Sequence, residues 1–94
     1  MKEEPRKLAR VLIYATAACP YCQAADRLLA RKGAGDIERV RVDLEPGRRA
    51  EMQQKSGRYT VPQIWIGGRH VGGSYELHEL EDAGQLYQLL AKAT

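Results

Sequence analysis

The chain has 94 residues and a net charge of +3, with 44% hydrophobic and 29% charged residues. This length suffices for one domain with a modest core. The longest apolar runs, such as 11–15 and 64–66, are too short to span a membrane. The basic residues are spread along the chain without a platform of stacking aromatic residues, which argues against a nucleic-acid partner.

The beginning of the chain is rich in charge and has no apolar stretch of the kind that a secretory signal needs. We therefore expect a solvated tail over residues 1–9 and a single domain over residues 10–94. The chain has two cysteines, Cys19 and Cys22, in one Cys-x-x-Cys motif. Because no second pair is present to form a structural disulfide, this usage indicates reactive thiols in a reducing compartment. We expect the protein to be located in the cytoplasm.

The first half of the chain predicts alternating strands and helices. In order, these are a strand over 10–15, a helix over 20–32, a strand over 37–44 and a helix over 48–56. The second strand is predicted from the alternation of Val40, Val42 and Leu44 with charged residues, a pattern typical of a half-buried strand at a sheet edge. Gly33 and Gly57 are the residue type that commonly follows the end of a helix.

The second half of the chain predicts a β-hairpin followed by helices. Gly67-Gly68 is a hairpin signal between strands over 61–66 and 69–72. Ser74 has the residue type of a helix N-cap, and leucines on both sides of Gly84 predict a broken pair of terminal helices. The order βαβ and then αββα predicts an α/β fold, with a mixed four-stranded sheet flanked by helices.

The motif Cys19-Pro20-Tyr21-Cys22 lies between the first predicted strand and the first predicted helix. A thiol at a helix N-terminus faces unsatisfied backbone N–H groups and the positive end of the helix dipole, which favour the thiolate. We therefore assign Cys19 as the nucleophile and Cys22 as the thiol that attacks a mixed disulfide formed on Cys19. Zinc sites use the same cysteine spacing, but His70 and His78 lack the spacing of a Cys2His2 site, so we expect no metal.

Several segments together resemble a known family. They are Tyr14, Cys19-Pro-Tyr-Cys22, Ser56-Gly-Arg58, Thr60-Val-Pro-Gln-Ile64, Gly72-Gly73 and Gly84-Gln-Leu86. The chain resembles a dithiol glutaredoxin of the short bacterial kind over about residues 10–91. The resemblance implies a thioredoxin fold, a cis peptide bond before Pro62, and a groove in which glutathione lies with its sulfur joined to the first thiol. It implies no bound cofactor, because glutathione is a co-substrate.

The resemblance also implies which residues bind glutathione, namely Tyr21, Arg49, Thr60, Val61, Pro62, Gly73, Ser74 and Tyr75. Thr60 and Val61 would hold the peptide beside Pro62, and Tyr21 would form a wall of the groove. The Arg49 guanidinium suits the glycine carboxylate, although Arg49 could instead be a solvated helix residue. The helix that follows Gly73-Ser74 could receive the other carboxylate at its first N–H groups, and Ser74 could equally be only a cap.

The leading functional interpretation is a monomeric glutaredoxin that reduces protein disulfides and glutathione mixed disulfides. Two positions depart from the family pattern: Thr16 stands where relatives usually have lysine, and Tyr75 stands where they commonly have an acidic residue. These departures motivate an alternative, a redoxin reduced by a thioredoxin-type reductase. A carrier in which two chains bridge an iron–sulfur cluster through Cys19 and added glutathione is a further alternative. So is an unreactive binding module.

Overall fold

The computed structural model describes residues 8–92, which contain four strands and four helices. The strands are β1 Val11–Ala15, β2 Ile37–Arg41, β3 Gln63–Ile66 and β4 Arg69–Gly72. The helices are α1 Pro20–Arg31, α2 Arg48–Ser56, α3 Ser74–Asp82 and α4 Leu86–Ala91. Each element predicted from the sequence is present in the predicted order. None of the helices in residues 8–92 is long and apolar enough to cross a lipid bilayer.

The four strands form one mixed sheet in the order β2-β1-β3-β4. β1 pairs in parallel with β2, from Val11 opposite Ile37 to Ala15 opposite Arg41. β1 pairs antiparallel with β3, and β3 pairs antiparallel with β4. The predicted thioredoxin-type sheet is therefore confirmed, and the charged strand β2 lies at an edge, as its alternation of apolar and charged residues predicted.

Apolar clusters lie on both faces of the sheet because neighbouring residues of a strand point to opposite faces. Val11 and Ile13 of β1 belong to one cluster with residues of α1, α3 and α4. Tyr14 of β1 belongs to the other cluster, which includes Met52 of α2. The Tyr14 hydroxyl also donates a hydrogen bond to the Glu51 carboxylate. Helices thus cover both faces of the sheet, and β1 lies between them.

The second strand is shorter than the alternation predicted. β2 ends at Arg41, and Leu44, expected on the buried face, is 67% exposed. The N–H groups of Leu44 and Glu45 both donate to the Arg41 carbonyl, at 3.1 and 3.0 Å. The chain therefore turns directly after Val42. The Val42 N–H itself still donates to the Ala15 carbonyl. The prediction of a strand over 37–44 was therefore wrong beyond Arg41. Hydrogen bonds within a local turn replace the hydrogen bonds between strands there.

The expected tail over residues 1–9 is only partly within the described residues, since residues 1–7 lie outside them. Leu8 and Ala9 belong with the packed domain rather than with a solvated tail. Ala9 is 4% exposed, and its N–H donates to the Leu90 carbonyl at 2.8 Å. Leu8 packs against the same apolar cluster. The two ends of the described chain are thereby joined by a backbone hydrogen bond.

We expect replacement of Leu28 by alanine to destabilise the protein by about 2–5 kcal/mol, because Leu28 is fully buried and its removal leaves a cavity in the core. Urea unfolding followed by circular dichroism measures the change in the free energy of unfolding. The matched control is Leu44→Ala, whose exposed side chain predicts a change within about 0.5 kcal/mol. Equal destabilisation by both variants would contradict the assignment of the core.

Candidate active site

The two thiols lie at the start of α1, three positions apart on one turn. Cys19 is the N-cap of α1 and has an extended backbone, and Pro20 is the first helical residue. Proline suits that position because its missing N–H would have no helical partner there. The Cys22 N–H donates to Cys19 Sγ at 3.1 Å. The backbone of the helix thus presents a donor directly to the first thiol, and both cysteines are unlinked.

The second thiol is the more deeply buried, at 5% exposure against 8% for Cys19. Burial, followed by the hydrogen bond with Cys19, raises the pKa of Cys22 to about 12. At neutral pH Cys22 is therefore a protonated thiol. Because the thiolate is the nucleophile in disulfide exchange, Cys22 is poorly suited to make the first attack on a substrate.

The turn that precedes β3 lies beside the first thiol. The Val61–Pro62 peptide bond is cis, as the family resemblance implied. The Val61 carbonyl oxygen is 4.0 Å from Cys19 Sγ. Residues at the end of β1 and at the start of β3 therefore meet around Cys19.

A buried glutamine holds this turn in place. Gln63 is completely buried, and its side-chain amide donates to the carbonyl and to the hydroxyl of Thr60, at 3.0 and 3.2 Å. Its side-chain oxygen pairs with Nε2 of His70 at 2.9 Å. Burial of the imidazole lowers the pKa of His70. Sequence reasoning missed Gln63 as a positioning residue, although a polar side chain within an apolar strand was a signal that could have found it.

A groove of about 270 Å³ is lined in part by Val61, whose carbonyl oxygen lies 4.0 Å from Cys19 Sγ. Most of the residues predicted to bind glutathione line it: Tyr21, Thr60, Val61, Pro62, Gly73, Ser74 and Tyr75. Two further residues, Arg58 and Glu76, also line it and were not predicted. Arg49 is not among the lining residues. Its side chain is exposed, and Nη1 donates to the Tyr59 carbonyl at 3.2 Å.

The start of α3 forms one side of the groove, but its cap differs from the prediction. Gly73 is the N-cap and Ser74 is the first helical residue, so the expectation of Ser74 as the cap was wrong. The Gly73 N–H donates to Glu76 Oε1 at 2.7 Å, and Ser74 is buried with its hydroxyl 3.3 Å from His78 Nδ1. The Glu76 carboxylate therefore accepts the hydrogen bond of the N-cap backbone N–H, which has no partner within the helix.

The two glycines before α3 allow this close packing. A Cβ at Gly73 would lie 3.2 Å from the Pro62 carbonyl oxygen, and one at Gly72 would lie 2.7 Å from Glu76 Oε1. Gly72 also has a φ of +121°, which residues with a side chain rarely adopt. The Gly-Gly pair is therefore what lets α3 begin against the Val61–Pro62 turn.

Charged groups in the groove are already paired. Arg58 Nη1 lies 3.2 Å from Glu76 Oε1. The hydrogen bond from the Gly73 N–H, together with Arg58, lowers the pKa of Glu76. Glu76 is therefore ionised at neutral pH, and its charge is directed to the helix start and to Arg58.

The histidines lie apart from any metal-binding cluster. His70 bonds to Gln63, and His78 Nδ1 lies 2.8 Å from the Ser74 carbonyl. Within residues 8–92, no group of three or more His, Cys, Asp or Glu side chains is arranged to hold a metal ion.

Comparison with known proteins gives consistent matches. A model of the glutaredoxin family matches residues 11–71. A glutaredoxin of Pseudomonas aeruginosa is 54% identical over 81 residues, which cover 86% of this chain and 95% of that protein. The solution structure of a glutaredoxin from Brucella melitensis has 49% sequence identity and a TM-score of 0.79, covering 94% of this chain and 95% of that one. The crystal structure of a buckwheat glutaredoxin–glutathione complex has 28% identity and a TM-score of 0.80, covering 87% of this chain and 76% of that one.

We expect the contribution of Glu76 to stability to disappear in acid. Because the folded state holds the pKa of Glu76 below its ordinary value of 4.5, the carboxylate stabilises the fold above that pH and loses its effect as the pH falls through the folded pKa. Glu76→Gln should lower the free energy of unfolding by about 0.5–1 kcal/mol at pH 7, a modest effect because the pair is partly exposed.

Urea unfolding at several pH values between 7 and about 3 checks this prediction. The difference between wild type and Glu76→Gln should shrink below pH 4.5. Glu79→Gln, on the same helix, is the control, since no basic side chain of the described chain lies within ion-pair distance of that carboxylate. A difference that stays constant with pH would show that charge is not the source of the effect.

Proposed function

This chain belongs to the glutaredoxin family, and from that membership we propose that it is a glutathione-dependent thiol–disulfide oxidoreductase. Its substrates are protein disulfides and glutathione mixed disulfides, and its redox centre is the Cys19/Cys22 dithiol. The observation that carries the proposal is the Cys22 N–H donating to Cys19 Sγ at a helix N-terminus, beside a groove. Backbone donors at a helix N-terminus favour the thiolate form of a cysteine, which is the form that attacks disulfides.

Catalysis begins with the Cys19 thiolate. It attacks one sulfur of the substrate disulfide, a new S–S bond joins Cys19 to that sulfur, and the old S–S bond breaks. The other substrate sulfur leaves with the electron pair and takes up a proton. The raised pKa of Cys22 supports this order, because the second thiol keeps its proton while Cys19 reacts.

Cys22 then resolves the mixed disulfide. Its sulfur loses a proton to solvent and attacks Cys19 Sγ, so that the remaining substrate sulfur leaves as a thiol and Cys19 and Cys22 become a disulfide. The position of the two cysteines on one helical turn supports this intramolecular attack, since the Cys22 backbone already contacts Cys19 Sγ. The substrate disulfide has gained two electrons and two protons, and the protein dithiol has lost them.

Two molecules of glutathione regenerate the dithiol and leave as glutathione disulfide. We place the peptide of the first glutathione along the groove at Tyr21, Thr60, Val61 and Pro62, with its sulfur on Cys19. The start of α3 at Gly73, Ser74 and Tyr75 receives one carboxylate at backbone N–H groups. Arg49 takes the glycine carboxylate, and its exposed guanidinium next to the Tyr59 carbonyl supports this role. The buckwheat glutaredoxin–glutathione complex, a structural relative, supports binding of the tripeptide by this fold.

The proposed activity suits a reducing compartment, because the dithiol must be free to turn over. We therefore place the protein in the cytoplasm. We propose a monomer as the active form, since the attacking and the resolving thiol come from one chain.

The two cysteine variants should differ in which substrates they still reduce. Cys19→Ser should lower kcat/KM by roughly three orders of magnitude or more for every disulfide, because it removes the nucleophile. Cys22→Ser should keep activity on a glutathione mixed disulfide, which a second glutathione resolves, and lose activity on an intramolecular protein disulfide. Each variant controls for the other, because both replace one sulfur by oxygen.

The assay couples glutathione disulfide formation to glutathione reductase and NADPH. Activity that survives in Cys19→Ser would overturn the assignment of the nucleophile. A wild-type protein that turns over with thioredoxin reductase and NADPH but not with glutathione would instead favour a redoxin reduced by that enzyme.

A further inference from the structure

Two of the four exposed tyrosine side chains of the described residues line the groove. Among the described residues, the large hydrophobic side chains that are exposed are Tyr21 at 70%, Leu44 at 67%, Tyr59 at 72%, Tyr75 at 73% and Tyr87 at 49%. Tyr21 and Tyr75 both line the groove, and Tyr59 directly precedes its residue Thr60. Single exposed apolar residues are normal, whereas a cluster at a reactive centre indicates a binding surface.

The groove lacks a free carboxylate for the ammonium group of a ligand. Glu76 is the one carboxylate among its lining residues, and it is bound by the Gly73 N–H and by Arg58. The groove therefore offers no unpaired carboxylate to the ammonium group that glutathione carries. A segment inside a polypeptide has an amide group in place of that ammonium.

We infer that Tyr21 and Tyr75 form an aromatic rim that selects, as preferred substrate, an extended segment of another protein with an apolar side chain next to its disulfide cysteine. This inference rests on the proposed function and specifies its substrate class. Tyr75 is the specificity-determining residue of the rim.

The closeness of the groove to the Cys19 thiol indicates which part of a substrate lies in the groove. The substrate sulfur must reach Cys19 Sγ, which is 4.0 Å from the Val61 carbonyl, and Val61 lines the same groove as both tyrosines. Residues that flank the substrate cysteine must therefore pass the rim. Tyrosine is suited to such contacts because it offers a large apolar ring and a hydroxyl with only two side-chain torsions to order, and it is enriched among the residues that dominate binding.

A cation near the turn before β3 supports a protein partner. Arg49 contacts the Tyr59 carbonyl, and no carboxylate within residues 8–92 lies within ion-pair distance of its guanidinium. An acidic side chain of a protein substrate would find a partner there. Apolar rings together with an arginine that has no acidic partner are typical of protein interfaces.

The test compares two disulfides in single turnovers of the prereduced protein, without glutathione. One is a peptide with an intramolecular disulfide and a leucine next to each cysteine, and the other is the mixed disulfide of glutathione with 2-mercaptoethanol. Timed acid quenches, followed by chromatographic separation of the alkylated products, measure the second-order rate constant for each disulfide. Tyr75→Ala should lower the ratio of the peptide constant to the glutathione constant by about tenfold, the effect of one strong interface residue.

Three further variants sharpen the comparison. Tyr75→Phe should restore most of the ratio, because the ring is retained. Tyr75→Asp should lower the ratio below that of Tyr75→Ala, since it supplies a carboxylate for the glutathione ammonium. Tyr87→Ala, which removes an exposed ring outside the groove, should leave the ratio unchanged. An equal loss on both disulfides, or an unchanged ratio in Tyr75→Ala, would overturn the inference.

The outcomes separate this inference from the proposed function. If the reduced protein reacts with both disulfides but glutathione does not regenerate it, the proposed reductant is wrong, and the single-turnover ratio still decides the role of Tyr75. Sedimentation of the wild type and of Tyr75→Ala tests a second copy as occupant. A dimer that the variant loses would assign the rim to self-association and overturn the inference.

Discussion

The antiparallel pairing of β1 with β3 is the constraint on which the active site depends. In this register Tyr14, near the end of β1, lies opposite Gln63, the first residue of β3. The loop that leads from β1 to Cys19 and the turn Val61–Pro62 that leads into β3 therefore meet at the same end of the sheet. Burial of Tyr14, Ile13 and Ile64 maintains this register, because a shift by one residue would move every side chain to the wrong face.

Helix α1 gives the two thiols of the motif different environments. Cys19 is the N-cap, where it accepts a hydrogen bond from the Cys22 backbone, while the Cys22 side chain lies within the first turn against the core. Burial keeps the second thiol protonated. One short segment thus holds one thiol at the helix start, where it accepts a backbone hydrogen bond, and the other thiol buried in the first turn.

The groove is built from segments distant in the chain that meet through close backbone packing. Gly72 and Gly73 let α3 begin against Pro62, and Glu76 then closes the helix start and binds Arg58. The one carboxylate that lines the groove is in this way bound within the protein. Tyr21 and Tyr75 line the same groove and remain exposed.

The order of the elements, the mixed sheet and the place of the two thiols were predictable from the sequence, because those features depend on local periodicity and on residues a few positions apart. The sequence also identified, through family resemblance, most of the residues that line the groove. The strand end at Arg41, the cap at Gly73 and the roles of Gln63, Arg58 and Glu76 were decided by the tertiary structure. Arg58 and Glu76 are 18 positions apart, and no local pattern specifies which backbone donor or side chain a folded chain will bring to a carboxylate.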